Sequence, residues 1–341
     1  MQLTPICNYS TVKIGEIWEN KAMPEGKGIA SIGELLVEFV CADKDGHHRR
    51  IGTYSGPYAS GAPGIFIDQA ARCGGRCIFA GAVGGDAFGQ VILERLQADG
   101  VDTSLIARVS GVPTGSAFVS YNADGSRDFV YNIVHSAASQ FAVDNKTIEK
   151  LVNFGTGIIH VSGSVLASAA MREKVLLVCK TLHSRDAAIS FDPNIRKELI
   201  SDPDYFTTVN ELMAICTYFL PSEEDAEVLF PGESLQSYAP KLFAKGADYV
   251  VLKKGDKGSS GFHRNGEAHN FPAHKVGVID PTGAGDCFCA TLITLISSGH
   301  FSFQKALQYA NAAGAMAVIK VGPMEGNSTL AEIEAFLAQR A

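Results

Sequence analysis

The chain has 341 residues, of which 46% are hydrophobic and 19% charged, enough apolar material for a large core and no compositional bias toward disorder. Its formal net charge of -7 gives no electrostatic footprint for nucleic acid or an anionic membrane surface, and points instead to small-molecule partners. Eight cysteines lie mostly inside apolar patterns without zinc spacing, and read as buried free thiols.

Residues 1–27, MQLTPICNYSTVKIGEIWENKAMPEGK, lack the basic start and apolar middle of an export signal. The longest apolar run, ATLITLIS, is far shorter than a bilayer span. Together these predict a cytoplasmic protein with an N-terminal extension over 1–27 and one main domain over 28–341. Along that domain, strands are predicted at GIASIG, RCIFAGAV, GIIHVSG, AAISFD, TYFL and YVVLKKG, and helices over 63–73, 87–98, 168–183, 222–230, 235–245, 286–298 and 302–319. Such alternation predicts a doubly wound α/β sheet flanked by helices. Two stretches break the rhythm with period-two alternation, about 35–59 and 114–134, the second turning through NADGS. They predict a small antiparallel β lid over a cleft, or a plain extension of the sheet edge.

The stretch VGVIDPTGAGDCFCATLITLISSG carries the chemistry. Val276, Val278 and Ile279 read as a strand broken by Pro281, and Gly283, Ala284 and Gly285 as a turn into a helix. Backbone N–H groups at that helix start form a seat for a phosphate. Asp286 beside such a seat suits a base that takes a proton from an attacking group; the plainer reading is a carboxylate complementing the helix dipole. Neither GxxxxGK[ST] nor a dinucleotide fingerprint is present, since Phe288 occupies the third glycine position of the latter.

The ordered set SGAPGIFIDQAARCGG, AGAVGGDAFGQVILERLQADGVDTS, VVLKKGDKGSSGF and IDPTGAGDCF resembles the ribokinase (PfkB) family of carbohydrate kinases, from about Gly28 to Leu337. The resemblance implies a Rossmann-like domain with a β lid that phosphorylates a sugar hydroxyl from ATP with magnesium. It makes Asp286 the catalytic base and Gly283, Ala284 and Gly285 the anion hole. It implies that Asp280 and Thr282 help build a potassium site, although an Asx-Pro turn fits them equally. Lys253, Gly255 and Gly258 match the nucleotide loop, and Asn311 the helix bordering the adenine; Lys253 also reads as a solvated strand end. Ser222 and Asp225 stand where relatives carry Asn and Glu near magnesium, and a helix cap with its capping box would look the same.

On the substrate side, Glu38 falls where many members bind sugar hydroxyls with Asp, with an outward solvated residue as the alternative. Ser60 and Gly61 begin the sugar loop. Ile65 replaces the Asn of most relatives, and Asp68 and Gln69, on the same helical face, stand in for it. Tyr131 lies on the lid. Ile133 occupies the place of the arginine that clamps the substrate carboxylate in keto-acid kinases, leaving Arg127 and Arg196 as carboxylate partners. The pattern therefore implies a neutral ketohexose such as tagatose or fructose. The alternatives are a 2-keto-3-deoxygluconate kinase, a nucleoside kinase or a silent sugar sensor. The lid sheet also offers an edge for a homodimer, as in relatives.

Overall fold

The computed structural model describes residues 27–124, 126–195, 200 and 204–340. Arg196, residues 1–26 of the predicted N-terminal extension and Gly125 of the predicted hairpin turn lie outside the described residues. The chain opens with β1 (Gly28–Ile32), β2 (Leu36–Cys41), β3 (Tyr54–Ser60), α1 (Ala62–Arg72), β4 (Cys77–Gly84), α2 (Ala87–Ala98) and β5 (Asp102–Val109). Next come β6 (Gly115–Tyr121), β7 (Arg127–Asn132), α3 (Asn145–Asn153), β8 (Thr156–Ser162), α4 (Ala169–His183), β9 (Ala188–Asp192), α5 (Asp204–Ile215), β10 (Tyr218–Phe219), α6 (Glu223–Leu229) and α7 (Leu235–Phe243). The C-terminal part holds β11 (Tyr249–Lys253), β12 (Ser259–His263), β13 (Ala268–Phe271), α8 (Ala284–Ser297), α9 (Phe303–Ala317) and α10 (Leu330–Ala338).

Among the described residues the main sheet has the order β13-β12-β11-β10-β9-β8-β1-β4-β5. From β11 to β5 every pairing is parallel; β12 and β13 extend one edge antiparallel. Alternation along the strands feeds two separate cores. Ile29, Phe79, Ile158 and Val251 pack on one face with α1, α2, α8, α9 and α10, while Ala30, Ile78, Ile159 and Val250 pack on the other with α3, α4, α5 and α7. A sheet buried on both faces must read as a continuous apolar run, and β4, CIFAGAVG, is buried at every position.

The second sheet has the order β3-β2-β6-β7. Its outer pairs are antiparallel, as expected, and its central pair β2-β6 is parallel. The cause is topological. β2 follows the carboxyl end of β1 and β6 follows that of β5, and those two strands run the same way in the main sheet. The predicted strand over Val276–Ile279 does not form: only the N–H groups of Ile279 and Asp280 reach an acceptor, the carbonyl of Val318, and Val278 and Ile279 are exposed. Without a neighbouring strand to pair with, the β-branched run stays irregular.

Candidate active site

Helix α8 begins at Ala284, two residues before the predicted start at 286, so Ala284 and Gly285 belong to its first turn and only Gly283 to the turn before it. Gly283 is its N-cap at φ 83, and a Cβ there would lie 2.5 Å from the Pro323 carbonyl oxygen, so this position requires glycine. Gly285 differs: its φ is not positive, and a Cβ would meet Lys253 Nζ at 3.5 Å, an ordinary contact. The space above Gly285 is thus bounded by an ammonium. Asp286 sits in the first helical turn, 8% exposed, and with Gly283 and Gly285 it lines a cleft of about 940 Å³.

That cleft lies at the carboxyl ends of the parallel strands, where doubly wound sheets place ligands. β1 leads to Glu34, β8 to Ser164, β9 ends at Asp192 and leads to Asn194, β10 leads to Ser222 and β11 ends at Lys253; all line it. Across from them the lid contributes Glu38, Ala117, Arg127, Phe129, Tyr131 and Ile133. The predicted residues Glu38, Ser60, Gly61, Tyr131, Ser222, Asp225, Lys253, Gly255, Thr282, Gly283, Gly285 and Asp286 therefore meet around one space, with Ala284 in the backbone turn between the two glycines. Glu38 does not point outward: it is buried, and Ser60 Oγ donates to its Oε2 at 3.3 Å.

Several expected contacts take other places. Asp68 is wholly buried away from the cleft, accepting from Arg95 Nε and Nη2 at 3.1 Å and from Asn327 Nδ2 at 2.6 Å. Burial, partly offset by Arg95, pushes its carboxyl up to about 6. Gln69 is likewise turned inward, bonded to Thr291 and Ser328. Neither replaces the sugar-binding Asn, because α1 is buried on all sides from Pro63 to Ala70 and this stretch has no outward face. Asn311 donates to Ser259 Oγ at 2.7 Å and to the Leu307 carbonyl at 2.9 Å, tying α9 to β12 rather than lining the cleft. Gly258 also lies off the cleft. At φ 96, a Cβ on it would meet the Phe271 carbonyl oxygen at 2.0 Å, which makes it a turn residue.

The Ser222–Asp225 capping box is present. Asp225 Oδ2 accepts from Ser222 N and Oγ at 2.8 and 2.7 Å, and Oδ1 accepts from Ile195 N at 2.8 Å. Asp280 is buried below the glycine turn, accepting from Tyr121 Oη, from Thr282 N at 2.9 Å and from Gly322 N at 2.9 Å. The Asx turn is therefore formed. It is joined by a lid residue, Tyr121, whose hydroxyl also lies 3.2 Å from Thr282 Oγ1; burial and then Asp280 raise the phenol pKa.

The residues that sequence reasoning passed over are Glu34, Ser164, Asp192, Asn194 and Tyr121. Ser164 Oγ donates to Glu34 Oε1 at 2.6 Å and lies 3.0 Å from Ser162 Oγ, which accepts from Asn194 Nδ2 at 3.0 Å. Asn194, at φ 36, turns its N–H to Asp192 Oδ1 at 3.2 Å, and Asp192 Oδ2 accepts from Lys253 Nζ. A polar chain thus runs from Glu34 to the ammonium beside Gly285. Its one local signal was DPN, the tripeptide whose Asx turn sets Asn194 in the left-handed region. For Lys253, burial alone would lower the pKa, but Asp192, Cys289 and Asp225 outweigh it and raise it; for Asp192, burial outweighs Lys253 and raises the carboxyl. Lys253 is charged at any physiological pH.

A glycine-lined helix start, a carboxylate beside it and an acidic wall in one cleft suit phosphoryl transfer to a hydroxyl. The chain belongs to the pfkB family carbohydrate kinases, whose pattern matches residues 27–330. It is similar to 2-dehydro-3-deoxygluconokinase of Bacillus subtilis (strain 168), at 31% identity over 91% of this chain and 95% of that one. An E. coli protein solved with ATP and Mg2+ under the name Ribokinase II is 37% identical, with a TM-score of 0.85 over 92% of this chain and 100% of its own. A Vibrio cholerae O395 fructokinase double mutant, solved with fructose, ADP and potassium ion, is 25% identical, with a TM-score of 0.78 over 92% of this chain and 99% of its own. The fold is the ribokinase-like fold, and the protein is a carbohydrate kinase. No helix among the described residues is long and apolar enough to cross a membrane.

Proposed function

We propose that this chain is a cytoplasmic ATP-dependent kinase that transfers the γ-phosphate to a hydroxyl of a free neutral ketohexose such as tagatose or fructose. The observation that carries the reading is that Asp286 and the N-terminus of α8 share one cleft with the buried Glu38–Ser60 pair. In the reaction the backbone N–H groups at the start of α8 hold the phosphoryl oxygens, and Asp286 accepts the proton of the attacking hydroxyl. The oxygen–phosphorus bond to ADP breaks as the sugar–oxygen–phosphorus bond forms. The wall supports a neutral substrate: Glu34 and Glu38 make it acidic, Ala117, Tyr131 and Ile133 offer a carboxylate no counter-charge, and Arg127 is the cation that the lid strands bring to it.

Among the described residues no group of three or more His, Cys, Asp or Glu side chains is placed to hold a metal by itself. That donor set fits magnesium, which commonly keeps its waters and arrives on phosphate oxygens with one or two carboxylates nearby. Asp225 is the carboxylate at hand, and since both of its oxygens accept from protein donors, it would act through water. Bound there, the ion supplies charge neutralisation of the nucleotide phosphates. Asp280, Thr282 and Tyr121 gather oxygens suited to potassium beneath the glycine turn. The lid's edge strands β3 and β7, with exposed Val130 and Val134, support a homodimer through the lid.

A second reading, 2-keto-3-deoxygluconate as substrate, rests on Arg127, which lines the cleft at the start of β7, and on the Bacillus relative. Measured kcat/KM over ketoses, aldoses, keto-acids and nucleosides, in potassium and in tetramethylammonium buffer, decides between them. Neutral ketoses are expected to lead, with faster turnover in potassium. A higher value for the keto-acid overturns the assignment and makes Arg127 the carboxylate partner.

A further inference from the structure

The ammonium of Lys253 carries three N–H donors on a side chain only 13% exposed. Two have partners, Asp192 Oδ2 and, at 3.6 Å, Cys289 Sγ. The third has no acceptor among the described residues, although Lys253 lines the cleft. Because Lys253 lines the cleft, that proton is open to water or to an oxygen of a bound ligand. What lies within its reach is the space above Gly285, since a Cβ built there would be 3.5 Å from Nζ. That space is part of the phosphate seat.

A counter-ion for buried carboxylates would also explain a lysine here. It would not explain the unused donor, nor its direction: Asp225, the other nearby carboxylate, already has donors on both oxygens. Asp192 in turn is fixed by Asn194 N and aims the ammonium. We propose that Lys253 is a catalytic residue, donating its third N–H to an oxygen of the phosphoryl group as it passes between ADP and the sugar, with Asp192 as its positioning residue. Lys253 keeps all its protons throughout. The proton released by the sugar hydroxyl goes to Asp286, and Lys253 supplies only positive charge where negative charge builds up. The proposal rests on the kinase reading above.

The test uses the double variant Lys253→Met with Asp192→Asn, which removes both charges and leaves no unpaired buried carboxylate. With the protein folded and binding sugar and ADP as wild type does, kcat is expected to fall by about 10²-fold or more, the scale of one oxyanion donor. Affinity for ADP with tetrafluoroaluminate and sugar, a mimic of the phosphoryl in transit, should fall by a similar factor while ADP affinity holds. A kcat near wild type overturns the proposal. Equal losses of ADP and analogue overturn it too, because they show ground-state or structural support. Should the double variant not fold, 15N-lysine NMR of the wild type gives the answer. The Lys253 Nζ signal must shift when tetrafluoroaluminate is added to the ADP–sugar complex, and an unchanged signal refutes the contact. Wild-type protein inactive on every sugar would defeat the kinase reading itself, an outcome distinct from an active wild type matched by its double variant.

Discussion

Replacing Asp286 with Asn separates proton transfer from helix electrostatics, because the two roles differ in size and in what they change. Asp286 stands in the first turn of α8, nearly buried beside the glycine seat. As a dipole partner its charge contributes about 0.3–1 kcal/mol, rising to about 2 kcal/mol in a partly buried setting, and this would appear as a lower melting temperature. Asparagine keeps the shape, so rate would barely change. As the base, its removal should lower kcat by about 10²- to 10⁴-fold, equivalent to about 2.7–5.5 kcal/mol on the barrier. Nucleotide affinity should hold or tighten, since one negative charge near the γ-phosphate has gone. Coupled ADP-release kinetics with the best sugar, alongside ATP titration and thermal melting of the same preparation, measure all three quantities. A folded Asp286→Asn protein that binds ATP and turns over sugar at nearly the wild-type rate refutes the mechanism.

The two glycines of the turn should fail differently. Gly283→Ala meets a left-handed φ and a carbonyl at 2.5 Å and should lose roughly 1–3 kcal/mol of stability, whereas Gly285→Ala should melt near wild type and lose activity by placing a methyl under the transferred phosphoryl; equal melting of the two variants contradicts this. Asp68→Asn should destabilise by about 1–3 kcal/mol, because Arg95 loses its buried carboxylate partner but keeps Asp99 at 2.9 Å, and should leave the KM for sugar unchanged, so a raised KM would return Asp68 to the substrate site. The same variant gives a pH test. Because the folded pKa of Asp68 is raised to about 6 from 3.8, the folded state binds the proton more tightly, and wild type should gain on the variant as pH falls from 6 to 4, by about 3 kcal/mol at most. Denaturant midpoints of both proteins across that range show the trend, and a gap that narrows toward pH 4 contradicts it. Hydrogen exchange in 35–59 and 114–134 should slow when sugar and nucleotide saturate the cleft, through closure of the lid; unchanged exchange removes that role.

What the sequence disclosed was whatever is local. Helix α2 is read to the residue because Asp86 caps it and its apolar stripe of Ile92, Leu93 and Leu96 keeps helical spacing. α3 went unread although Ile148, Leu151 and Val152 of NKTIEKLVN keep helical spacing behind the Asp144 cap, because nine residues are too few to stand out between loops; β12 and β13 escaped as short strands, the second at the sheet edge, with polar residues. The glycine turn and Asp286 were legible for the same reason as α2: seat and carboxylate are contiguous in the chain. Asp68 misled because helical spacing identifies a face only when the helix has one exposed side, and α1 is enclosed over that stretch.

Lys253 and Asp192 show the opposite limit. Each is ordinary in its own segment, one at a strand end and the other before a proline, and they are 61 residues apart. They meet because β9, β10 and β11 are consecutive in the parallel sheet and end on the same side, so each delivers its carboxyl-end residue to the same cleft. The same rule brings Ser164 after β8 beside Asn194 after β9. Predicting the charged half of this site therefore required strand order, which the β-α alternation leaves open. Once the order is known, β9 and β11 lie two strand spacings apart, about 10 Å with β10 between them, and the long Lys253 side chain spans that gap to reach Asp192. The acid proposed to accept the proton lies on one helix, readable from ten residues. The charge proposed to steady the phosphoryl spans β9 to β11, and only the folded sheet brings it together.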